Sequence, residues 1–119
     1  MNTGKLMAQP CPNCFNFNAI DQTEKDHYYW LCFGLWQSRS LHLYLSGSVI
    51  PFIHLRDLSQ VINQASEKAQ ASPANFLKTV EALKILDQHE KQYHRNLLLI
   101  SEAKKAIFAN YRSLPSFYR

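Results

Sequence analysis

The sequence predicts an α+β fold: a small three-stranded antiparallel meander followed by two or three helices, the last long and amphipathic. Three observations carry that expectation. The run HYYWLCFGLW at 27–36 is aromatic-rich and nearly all apolar, which suits a buried strand. Leu41, Leu43 and Leu45 then alternate with His42 and Tyr44, the period-2 pattern of a half-buried strand. Beyond Ser72-Pro73 no Gly or Pro recurs until Pro115, and apolar residues keep a 3-4 rhythm.

Taken in order, residues 1–26 are polar, contain Pro10 and Pro12, and read as an irregular arm before a single domain over 27–119. Gly34 marks a bend or bulge in the first strand. Ser46-Gly47-Ser48 is a turn signal between SLHLYL and a return strand, VIPFIHL. Pro51 has no N–H to give a ladder, so that return strand belongs at an edge. Arg56–Gln70 is a helix by periodicity, with Leu58, Val61, Ile62, Ala65 and Ala69 on one face. Ser72 is a good N-cap and Pro73 a favoured first helical residue, so a new helix starts there.

In that helix Leu83, Leu86, Tyr93, Leu97, Ile100, Ile107, Tyr111 and Leu114 form a coiled-coil-like seam, interrupted by Glu90 and Lys104. One helix over 73–113 is about 60 Å long at ~1.5 Å per residue. That is more than a chain of 119 residues covers by itself, so it calls for a partner chain, a homodimer. The polar run DQHEKQ at 87–92 also admits a turn and a helical hairpin. The absence of a strong breaker there favours one long or weakly kinked helix.

Composition bounds the class. With 46% apolar and 18% charged residues the chain is globular rather than disordered. No apolar run reaches the ~18–20 residues of a membrane span, and the first residues lack the apolar core of a secretory signal. Three cysteines cannot all pair internally, which with the absent signal points to a reducing cytoplasm. Charge is unevenly placed. Residues 1–88 carry seven basic and seven acidic side chains, so the whole net charge of +4 lies in 89–119. That bias suits an acidic partner, such as nucleic acid, an anionic membrane or an acidic protein surface; a solvated basic face is the plain alternative.

Cys11, Cys14, His27 and Cys32 have the spacing C-x2-C-x12-H-x4-C of a single zinc site. A strand over 27–36 works against it, because residues five apart on a strand face opposite ways and lie roughly 16 Å apart; only a helix or a broken strand there rescues the site. Zinc is therefore the one cofactor the spacing admits, and a surface turn plus a core thiol is the simpler account. CPNC also has dithiol spacing, without the preceding strand and following helix of a redox motif. No Ser elbow, Gly-rich phosphate loop or HExxH is present, and no carboxylate pairs with any of the five His in a recognisable motif, so no enzyme is expected.

Lys91, Arg95, Lys105 and Arg112 fall within a sector of roughly 100° on the last helix, opposite Tyr93, Leu97, Ile100, Ile107 and Tyr111. Such a stripe is spaced to follow phosphates, with Glu102 in its midst as a counterweight. Arg39 and Tyr44, with His42 and His54, would add a sheet platform on which single-stranded bases stack. VIPFIHL, RDLSQVINQASEKA and PANFLKTVEALKIL, about 40 residues, resemble in order the strand, helix and helix of ribbon-helix-helix DNA-binding units. The resemblance implies a strand that pairs across a dimer and enters the major groove. The turn Gly of that family is missing, and Pro51 stands in the would-be groove strand. The expectation is a non-enzymatic, nucleic-acid-associated regulatory or accessory protein. The alternative is a protein-protein adaptor or inhibitor that docks through an aromatic sheet and the apolar seam.

Overall fold

The computed structural model describes residues 4–9, 14–47 and 52–112. The chain forms two compact units, Met1–Val80 and Glu81–Arg119. In the first unit, helix α1 spans Gln22–Gln37. Two residues of strand β1, Leu45–Ser46, pair antiparallel with two of β2, Phe52–Ile53, in the register Leu45↔Ile53. Helix α2 spans Leu55–Ala71, and α3 starts at Pro73 and continues to Phe108.

Local chemistry explains why α1 is a helix. Asp21 is its N-cap, and the Glu24 backbone N–H donates to the Asp21 carboxylate at 2.8 Å. Asp21 and Glu24 have the spacing of a capping box. At the other end Ser40 N–H donates to the Leu35 carbonyl and Arg39 N–H to that of Trp36, a Schellman closure. That closure needs a left-handed residue, and Arg39 takes φ 57° to supply it.

The core of this unit is small. Leu31 and Phe33 from α1, Leu41 after it, Val61 and Ala69 from α2, and Val80 from α3 are buried. Ser66 on α2 is buried too, and its hydroxyl bridges α2 to α1. Aromatic rings run along α1, with centroids 5.2 Å apart for Trp30–Phe33 and 5.8 Å for Phe33–Trp36. The N-terminal segment packs here as well. Gly4 adopts φ 88°, and a Cβ added to it would lie 2.5 Å from Leu41 Cδ1.

The three-stranded meander is therefore corrected. Residues 27–36, expected as the first strand, lie inside α1, and helix also takes the last five residues of the expected arm, 22–26. The second expected strand is mostly a 3-10 turn at His42–Tyr44, leaving only Leu45–Ser46 in a ladder. A 3-10 turn advances about 120° per residue, so the leucines separate: Leu41 is 3% exposed and Leu43 91%. Of the described residues of the third, Phe52–Ile53 is strand; Val49, Ile50 and Pro51 lie outside the described residues. Because β2 pairs with β1 of its own chain, it is not the free ribbon of a ribbon-helix-helix dimer.

Ser72 separates α2 from α3 by a single residue. Its φ and ψ of −139° and 73° break the helix, and its carbonyl accepts from Phe76 N–H to open the next one. In the second unit, α3 runs unbroken from Glu81 through the polar stretch 87–92 to Phe108, and a 3-10 turn covers Ala109–Tyr111.

Candidate protein-docking helix

Among the described residues of the second unit none is buried. Every residue from 88 to 108 is exposed. A solvated helix is normally polar, whereas this one also exposes large apolar residues. Read as a heptad, Leu83, Glu90, Leu97, Lys104 and Tyr111 fall at a positions. Leu86, Tyr93, Ile100 and Ile107 fall at d. Tyr93, Leu97 and Ile107 are 65%, 62% and 77% exposed, so the apolar seam, interrupted by Glu90 and Lys104, lies open among the described residues. Exposed apolar surface of this extent makes the helix a candidate interaction surface.

Charges line the rest of the helix, mostly in pairs. Lys91 Nζ lies 3.0 Å from Asp87, Lys105 Nζ 3.5 Å from Glu102, and His94 Nε2 3.8 Å from Glu90. Of the basic sector, Arg95 and Arg112 make no ion pair among the described residues, while Lys91 and Lys105 are each compensated by a carboxylate of their own helix. Leu98 stands one heptad from both Lys91 and Lys105 and divides the stripe. Sequence reasoning left Leu98, Leu99 and Phe108 outside the interface, yet they are 68%, 67% and 63% exposed. The signal for them was the run LLLI at 97–100, since four consecutive apolar residues on a helix cannot all share one face.

The other expected site residues do not converge. Arg39 closes α1 and Tyr44 belongs to the 3-10 turn, so no base-stacking sheet platform forms from them. His54 is the N-cap residue of α2 with its ring against Phe52. Of the zinc set, Cys11 lies outside the described residues, Cys14 is disulfide-bonded and Cys32 is a free thiol. A disulfide sulfur is not a thiolate donor, and the bond departs from the expectation of reduced cysteines. His27 and Cys32 share α1 but sit about 140° apart around it at ~100° per residue. Burial raises the Cys32 thiol above its ordinary pKa, which keeps it protonated and unreactive. No group of three or more His, Cys, Asp or Glu among the described residues is placed to hold a metal ion.

His27 has a structural role. Its Nε2 is 3.2 Å from Ser66 Oγ, and that hydroxyl donates to Tyr28 Oη at 3.4 Å. Which partner donates in the His27–Ser66 contact depends on the imidazole tautomer. The ring also rests on Phe76 at 5.1 Å. Beside it an open depression of about 300 Å³ is lined by Leu31, Ala65, Ala69 and Phe76, with Lys68 as its one charged side chain. Ser72, Asn75 and Thr79 complete its lining.

Residues 1–110 match the family described as "Family of unknown function (DUF6943)", and the chain belongs to that family. No curated protein and no solved structure matches it. No helix among the described residues is long and apolar enough to cross a membrane.

Proposed function

We propose that this protein is a non-enzymatic adaptor or regulatory module that docks another protein chain along α3. One observation carries the reading: the heptad seam from Leu86 to Tyr111 is exposed, and it is apolar at every a and d position except Glu90 and Lys104. Helix-in-groove and helix-on-helix recognition use anchors at this spacing. The reading departs from the order of preference that charge alone suggests. Nucleic-acid binding keeps one observation in its favour, the unpaired Arg95 and Arg112; Lys91 and Lys105 are already compensated, and no aromatic platform accompanies them.

Photo-crosslinking in the expressing cell separates the two readings. A benzophenone amino acid is placed at Leu97 on the seam or at Arg95 on the basic sector. Protein adducts from position 97, and none from 95, are expected. Nucleic-acid adducts from 95 with no protein adduct from 97 would transfer the function to the basic face.

A further inference from the structure

We infer that the chain seated on this seam is the same helix of a second copy, running antiparallel. The inference rests on the docking reading above and names its occupant. Its basis is the pair of charges that interrupt the seam. Glu90 and Lys104 both occupy a positions, two heptads apart, with Leu97 midway between them. They are opposite in sign, and Lys104 makes no ion pair among the described residues.

A parallel, in-register pair stacks each a position on its own copy. Glu90 would then face Glu90 and Lys104 face Lys104, which puts two like-charge layers inside an apolar seam. Reversing one helix about Leu97 removes both clashes. Glu90 of each copy then lies beside Lys104 of the other, and the symmetry makes that contact twice. Antiparallel layers set an a residue against a partner d residue. In the two registers nearest this midpoint the Glu90 and Lys104 levels differ by three or four residues, roughly 4.5–6 Å along the axis at ~1.5 Å per residue. A lysine stem spans that gap and covers apolar surface on the way.

The flanks do not oppose the arrangement. Asp87, His94, Ser101 and Phe108 border the seam on one side. His89, Asn96, Ala103 and Asn110 border it on the other, so no like-charged pair meets across either edge. The basic sector of each copy faces away from the partner. The seam thus holds the complement it needs only when it meets itself reversed.

Charge reversal tests this on the full-length protein, with the dimer dissociation constant read by sedimentation equilibrium from about 1 µM to about 500 µM. Helicity is checked by circular dichroism. Glu90→Lys and Lys104→Glu should each weaken the dimer by roughly tenfold or more, since each creates two like-charge contacts. The double variant Glu90→Lys/Lys104→Glu should return to within about threefold of the parent, because the pair is restored with its signs exchanged. A dimer that ignores both single reversals is parallel or uses another surface, and the inference is then wrong. A monomer at every concentration, or a larger oligomer, also overturns it. A monomer that still gives adducts from position 97 leaves the docking reading standing with a different partner.

Discussion

At the scale of single residues, Ser66 shows how one buried hydroxyl organises a helix packing. It is 4% exposed and is the one buried polar side chain among the described residues. A hydroxyl both donates and accepts, so it satisfies Tyr28 and His27 together, two neighbours on α1 that would otherwise meet apolar α2. Ser66→Ala removes both partners without changing the fold. It should cost about 1–2 kcal/mol, because two half-buried polar groups lose their bonds. Urea unfolding reads this as a lower midpoint at unchanged slope. An unchanged midpoint would mean that water serves these groups as well as Ser66 does.

At the scale of elements, helix ends decide more than composition. Arg39 sits in the left-handed region with a side chain where glycine is preferred. Arg39→Gly should therefore stabilise the first unit by about 0.5–1 kcal/mol, the relief of the left-handed strain less glycine's extra unfolded entropy. Thermal unfolding checks the sign; a lower midpoint would show that the Arg39 side chain contributes more than its backbone costs. The same ends explain what was legible in the sequence. Ser72-Pro73 marked the α2–α3 boundary because a cap and a fixed φ act locally. The α2 face of Val61, Ala65 and Ala69 was legible because one side of that helix meets the core and the other meets water. Helix α1 was not legible from periodicity. It is apolar around most of its circumference, so 27–36 has neither period, and aromatic content tipped the reading to strand. Asp21 and Glu24, the capping pair six residues upstream of His27, carried the information that was passed over. Leu41, Leu43 and Leu45 alternated by accident of a 3-10 turn. The seam was legible because its described residues from 88 to 108 lie exposed on one regular helix, while spacing along the chain alone does not fix the direction of His27 and Cys32 around α1.

At the scale of the whole molecule, the two units have different sources of stability. The first buries a core; the second has local pairs such as Lys91–Asp87 and Gln92–Asn96, the latter at 2.9 Å. Pairs of this kind contribute about 0.2–0.5 kcal/mol each, and helices without tertiary cover are marginal in water. Order in 88–108 is then linked by mass action to whatever covers the seam. If that cover is a second copy, amide exchange in 88–108 should slow as protein concentration rises, while exchange in α1 and α2 stays constant because their core is internal. Ile100→Asp places a carboxylate at a d position and should abolish the concentration dependence without touching α1 or α2. Exchange in 88–108 that is equally slow at the lowest and highest concentrations would show that the helix holds itself, and association would then add no order to it.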